Sequence, residues 1–269
     1  MLNELFHYYI TPCPRTYRRL GYLSGLIAIQ ARYKRVAKQW KPHLENSRQL
    51  ILQAVSEIPQ HHKVVVLGSG LLKDVPVEAL AKQFDSVILI DIVHLIETRH
   101  HCKKLGNVVL LEHDITGLAD ALLSYRPKMA LPRPNAILPD LAQGADLIIS
   151  CNMLSQLAMT PSLYLQQQFT INAEWLAKWQ QEIIANHLTL LADQPGRRVL
   201  LCDFYHDYLD GEGVLLERQD MLHGLNLGKA EKQWCWLIAP LGELDNQCQL
   251  QSTVIGFSDW TLAENLRVT

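Results

Sequence analysis

The stretch VVVLGSGLLKD, Val64–Asp74, decides how the rest of the chain is read. Three valines and a leucine read as a strand buried on both faces, and Gly68 and Gly70 stop it. A G-x-G turn at a strand end lets the backbone turn sharply and come close to a ligand. The helix expected next would offer unpaired N–H groups. Asp91 closes the next apolar run, VILID (Val87–Asp91), 21 residues beyond Gly70. A carboxylate there can accept both hydroxyls of an adenosine ribose. Asp114 closes the third run, VVLLEHD (Val108–Asp114), one place further along the same sheet edge. Either acid, taken singly, also suits a helix cap. Their joint spacing favours a ligand. Dinucleotide-binding turns place a third glycine where Lys73 stands, and a long side chain opposes the close helix–strand packing that a diphosphate requires. The pattern therefore points to adenosine carried without a diphosphate.

Outward from this turn, strands and helices alternate. ADLIIS (Ala145–Ser150) and RVLLCD (Arg198–Asp203) read as a fourth and a fifth strand. Helices are expected through Val77–Phe84, Leu95–Leu105 and Ala173–Ala192, the last with Leu176, Trp179, Ile183 and Leu190 at helical spacing. Continuous apolar strands joined by helices mean a parallel sheet in an α/β fold. The end departs from that rule. QWCWLIA (Gln233–Ala239) and QLQSTVIGF (Gln249–Phe257) are separated by too little chain for a crossover helix, so they pair antiparallel at a sheet edge. Residues 126–139 hold four prolines and read as an irregular connection.

The first sixty residues read as helices. One stretch, Arg15–Trp40, is expected to end at Pro42. A second, His43–Ile58, carries Leu44, Ile51, Val55 and Ile58 on one stripe and is closed by Pro59. Arg48 falls on the same inward stripe. Residues 1–60 carry nine Lys or Arg against three Glu, a balance of +6, which leaves −8 for the remainder of a chain whose net charge is −2. The expected organisation is a basic helical cap, 1–60, on an α/β domain, 61–269.

The LGSG turn, the acidic ends of VILID and VVLLEHD, ADLIISCNMLSQL after the fourth strand and the final antiparallel pair together resemble the class I S-adenosylmethionine-dependent methyltransferases. The resemblance runs from about Val64 to Phe257. It implies a Rossmann-like, mostly parallel seven-stranded sheet ending in an antiparallel pair, and S-adenosyl-L-methionine as cofactor. Gly68, Ser69 and Gly70 would line the cofactor's amino-acid part, and Asp91 its ribose. Asp114 and Ile115 would meet the adenine, and Ile92 would pack on the ring. Cys151 and Asn152 follow the fourth strand at the cofactor's edge, with Asn152 a candidate to orient cofactor or acceptor. The acid common shortly before the first glycine is missing, Val66 and Leu67 standing there, so another group must hold the methionine ammonium. His206, after the fifth strand, is the candidate general base, since imidazole suits proton removal near neutrality; an exposed loop histidine is the bland reading. Arg48, on the helix entering the first strand, is the candidate partner of the cofactor carboxylate, with snorkelling to the surface as the alternative. The fourth strand lacks the N-P-P-Y type motif of amino-directed DNA and protein methyltransferases, which favours a small-molecule acceptor.

Composition sets the outer bounds. The 269 residues are 48% apolar and 19% charged, which excludes a disordered chain, a fibre and a coiled-coil rod. No apolar run approaches the ~18–20 residues of a membrane span, and the opening MLNELFHYYI lacks the basic start of a signal peptide. Six scattered cysteines without a C-x-x-C, with Cys151, Cys202 and Cys235 in apolar runs, read as reduced core thiols of a cytoplasmic protein. The paired histidines, His61–His62 and His100–His101, have no ligand spacing, so no metal site is expected. Two other classes compete: a nicotinamide-dependent oxidoreductase, opposed by Lys73 and the antiparallel end, and a non-catalytic adenosyl-ligand or nucleic-acid-binding module resting on the basic segment. A pI near 6.6 and the lack of a nucleic-acid motif disfavour the latter.

Overall fold

A computed structural model describes residues 2–244 and 246–261; the last eight residues of the expected second domain, 262–269, lie outside them. In chain order the elements are α1 (Leu2–Ile10), α2 (Arg15–Arg19), α3 (Tyr22–Ser56), β1 (Lys63–Leu67), α4 (Val77–Gln83), β2 (Ser86–Asp91), α5 (Ile96–Cys102), β3 (Val108–Glu112) and α6 (Ala119–Ser124). There follow β4 (Leu147–Cys151), α7 (Leu154–Leu157), α8 (Met159–Gln168), α9 (Ala173–Ala192), β5 (Arg197–Asp210), β6 (Leu215–Asp220), β7 (Lys232–Ala239) and β8 (Cys248–Phe257). No helix among the described residues is long and apolar enough to cross a membrane.

The sheet runs β3-β2-β1-β4-β5-β8-β7. Strands β1 to β5 are parallel, whereas β8 runs antiparallel between β5 and β7. This is the Rossmann-like sheet with an antiparallel end that the sequence implied, with one addition. The sheet has eight strands, because β5 continues to Asp210 and β6 pairs Tyr205–Leu209 on the side that β4 leaves free. Strand alternation splits the core between two faces. Val65, Leu67, Ile88, Ile90 and Ile148 face α9 through Trp179, Ile183 and Leu188. Val64, Val66, Leu89, Ile149 and Leu201 face Leu50, Ile51, Ala54 and Val55 of α3. The segment read as a cap therefore supplies much of one helical layer.

Helix α3 corrects a second expectation. Pro42 does not end it: one helix runs through Pro42, with a kink at Val36 (φ −119°, ψ 27°). Proline removes the bond to the Lys38 carbonyl, but both residues are exposed, so water can satisfy that oxygen. Trp40 fixes the bend by donating its indole N–H to the Ile238 carbonyl at 2.9 Å.

The cysteine assignment shifts as well. Cys102, Cys151 and Cys202 are the buried thiols, while Cys235 is exposed on β7.

Candidate ligand site

The carboxyl ends of β1 to β4 open into a cavity of about 500 Å³, roofed by α3. Gly68 makes the cavity floor possible. A Cβ there would lie 2.6 Å from Met153 Cβ and 2.9 Å from the Cys151 carbonyl, at a φ of +75° that favours glycine. The turn is held to the second strand, since Gly68 and Ser69 both donate to the Ile90 carbonyl, at 3.0 and 3.3 Å. Helix α4 begins only at Val77, after the loop Leu71–Pro76, so no helix N-terminus follows the glycines directly. The helix-end amides expected at the turn are displaced to Val77, so no helix dipole is aimed at a ligand there.

Asp91 and Asp114 both reach the cavity, but they are engaged differently. Asp91 accepts Gly70 N–H on Oδ2 at 2.6 Å and Ile92 N–H on Oδ1 at 2.7 Å. With the Val93 N–H as a third backbone donor, the carboxylate keeps acceptor capacity for one further donor, and at φ +47° Gly70 holds a backbone conformation that favours glycine. The site thus has a carboxylate in the cavity wall with acceptor capacity left for a ligand hydroxyl. Burial pushes the Asp91 carboxyl above its ordinary value, while His94 and the backbone amides act against that rise. Asp114 is largely consumed by its own loop: Oδ1 accepts the Thr116 N–H and hydroxyl at 2.9 and 2.6 Å, and Oδ2 accepts Ala119 N–H at 2.7 Å. The capping role and the cavity position coincide in this one residue. Ile92, Ile115 and Tyr22 add apolar wall beside the two acids.

Three expected site residues lie elsewhere. Ser69 is fully buried with its hydroxyl 3.0 Å from His94 Nε2, behind the turn rather than in the cavity. His94 Nδ1 is 2.9 Å from Glu112, and Arg99 also pairs with Glu112, so a buried relay ties the turn to the end of β3. Hydrogen bonding from His94 holds Glu112 below the usual carboxylate range. Arg48 does not line the cavity: its guanidinium donates to the Lys73 carbonyl, which fixes the loop after the turn. An inward arginine did need an acceptor, and a backbone oxygen supplies it. His206 is not on a loop at the strand ends. It sits inside the extended β5, buried, with Nε2 3.5 Å from Asp203 and no hydrogen-bond partner. Asp203 accepts Ser155 and Ser252 hydroxyls at 3.0 and 2.6 Å. Burial alone would raise it, but His206 and Ser252 hold it below the ordinary range. This is a buried polar tie between α7, β5 and β8.

Cys151 and Asn152 do line the cavity. Burial and the nearby Asp74 push the Cys151 thiol well up, so it stays protonated and is no nucleophile. Asn152 adopts a left-handed φ of +49°, and its amide donates to Asp74 Oδ2 at 2.6 Å.

Sequence reasoning missed the residues that close the far end, Trp40, His43, Asp74 and Trp236. His43 stacks on Trp236 at 4.0 Å with 7° between planes, and its Nδ1 accepts the Trp234 indole N–H at 3.1 Å. The remaining imidazole proton therefore sits on Nε2, near Asn152. Burial lowers the His43 pKa, which keeps the ring neutral. Asp74 alone had a visible signal, as an acid four residues after Gly70. The others come from α3 and β7, remote in sequence from the turn.

No protein-family profile matches this sequence, and no curated protein matches it. Among solved structures, a complex of DhpI with SAH is 12% identical over 88% of this chain and 95% of that one, with a TM-score of 0.35. A SAM-dependent methyltransferase from Leishmania major is 13% identical over 94% of this chain and 81% of that one, TM-score 0.32. Haemonchus contortus phosphoethanolamine N-methyltransferase 1, in complex with phosphoethanolamine and S-adenosylhomocysteine, is 10% identical over 91% of this chain and 53% of that one, TM-score 0.34.

Proposed function

We propose that this chain is an S-adenosylmethionine-dependent methyltransferase acting on a small-molecule acceptor. The observation that carries the reading is the Asp91 carboxylate, held by Gly70 N–H at the mouth of a cavity built from strand ends, with no helix N-terminus at the turn. That arrangement suits adenosine and does not suit a diphosphate, which sets the nicotinamide alternative second. When bound, the cofactor supplies a methyl group on a sulfonium, an electrophile that needs alignment more than activation. The chain's own residues then have three tasks. Asp91 fixes the ribose, with Gly68 and Gly70 admitting the rest of the ligand. Asn152, locked by its bond to Asp74, orients groups at the end of β4. The α3 roof, with Trp40 and Leu44, excludes water from the acceptor end.

A small acceptor is favoured because the cavity is mainly apolar and covered by a helix. The basic segment does not require a nucleic acid. Arg18 donates to the Tyr8 and Thr11 carbonyls, Arg48 to that of Lys73, and Arg32 and Arg35 pair with Glu243. Two of the segment's nine cations, Arg32 and Arg35, thus pair with Glu243 rather than with the acidic stretch after β5, where Asp207 pairs with Arg218 instead. Mass spectrometry of small molecules released from the purified protein tests the reading. An S-adenosyl ligand supports it, and a nicotinamide dinucleotide contradicts it.

A further inference from the structure

Asp74 has a carboxylate in the cavity wall and, among the described residues, no cation to neutralise it. The candidates nearest in sequence and space are used elsewhere. Lys73 places its ammonium over the Tyr33 ring, 5.1 Å from the centroid. Arg48 gives its guanidinium to the Lys73 carbonyl. His43 is neutral, its Nδ1 occupied by the Trp234 N–H. The Asn152 amide donates one bond to Asp74 Oδ2 at 2.6 Å but carries no charge. The Cys151 thiol is the other group against Asp74, and it too carries no charge. Asp74 is half-buried in the cavity wall, and the groups that touch it there meet its charge with dipoles alone, which leaves it open to a ligand cation.

Position selects the cation. Because β1 lies between β2 and β4 in the sheet, a ligand whose ribose sat on Asp91 would reach the end of β4 by crossing Gly68 and Gly70. Asp74 stands at that end, close enough to Asn152 and Cys151 to bond the first and raise the thiol of the second. We infer that Asp74, braced by Asn152, binds the ammonium of the cofactor's amino-acid tail. It does so from the loop after the glycine turn, in place of the acid missing before it. The inference rests on the proposed S-adenosylmethionine reading. It makes Asp74 a binding residue, with Asn152 as its positioning partner.

Two neutral-sulfur ligands separate this inference from the reading beneath it. S-adenosylhomocysteine carries the ammonium, and 5′-methylthioadenosine has the same adenosine and thioether without the amino-acid tail. Calorimetric titration of both into the full chain and into Asp74→Asn, whose folding is checked by its melting temperature, gives the answer. The expected result is a loss of about 10- to 100-fold for S-adenosylhomocysteine in the variant, with 5′-methylthioadenosine unchanged. An equal affinity of variant and wild type for S-adenosylhomocysteine overturns the Asp74 assignment while leaving the cofactor reading intact. Equal weakening of both ligands also overturns it, because Asp74 would then serve the fold of the turn. Failure of the wild type to bind either ligand overturns the reading and the inference together.

Discussion

Asp91 is the residue on which most of the chemistry depends, and it has two duties. It accepts the Gly70 and Ile92 amides, and it faces the cavity. Asp91→Asn keeps the size but loses the charge and sets an amide N–H against that of Gly70 or Ile92; it should cost about 1.5–3 kcal/mol of adenosyl-ligand binding and some stability with it. Asp91→Ala should also lower stability, because the Gly70 N–H loses its partner; urea unfolding beside ligand titration separates the two losses. Arg48 gives the opposite expectation. With its guanidinium on the Lys73 carbonyl, Arg48→Ala should lower stability by roughly 1 kcal/mol and leave affinity within about threefold. A larger loss of affinity at constant stability would return Arg48 to the cofactor. His187 adds a pH dependence of its own. It is fully buried, and burial lowers its pKa to about 4 from an ordinary 6.5. The folded state therefore resists a proton that the unfolded chain accepts. The stability is intact above pH 6.5 and falls as pH drops toward 4, by about 3 kcal/mol in total. Urea unfolding of the wild type and His187→Gln at several pH values between 4 and 7 should show a shallower slope in the variant. Identical slopes would assign the acid sensitivity elsewhere.

At the scale of elements, the glycine turn is the most constrained piece. Gly68→Ala sets a Cβ against Met153 and the Cys151 carbonyl at a positive φ, and should destabilise by about 2–4 kcal/mol, readable as a lowered melting temperature. This turn and the two acids were legible in the sequence because they are local. A strand, a stop and a following acid sit on neighbouring parallel strands whatever else the chain does. Pro42 was misread because a helix break depends on whether the freed carbonyl meets water, and the exposure of Lys38 and Pro42 is a tertiary fact. His206 was misplaced for a related reason. The end of β5 depends on β6, a strand of exposed residues without apolar alternation, which only its pairing with Tyr205–Leu209 defines. The acceptor end was hidden because Trp40, His43 and Trp236 meet across roughly two hundred residues of chain.

At the scale of the whole molecule, α3 unites fold and site. Its last turns bury Leu50, Ile51 and Val55 on the sheet, and the stretch from Tyr22 to Leu44 roofs the cavity. Burying those three side chains contributes roughly 5–9 kcal/mol, comparable with the total stability of an ordinary domain. A chain beginning at Gln60 should therefore lose its cooperative melting transition, as followed by circular dichroism. The central claim, an adenosyl site without a diphosphate site, meets its most direct test in calorimetric titration of the intact protein with S-adenosylhomocysteine and with NAD. The account predicts micromolar binding of S-adenosylhomocysteine and NAD binding at least a hundredfold weaker; tighter binding of NAD would contradict it.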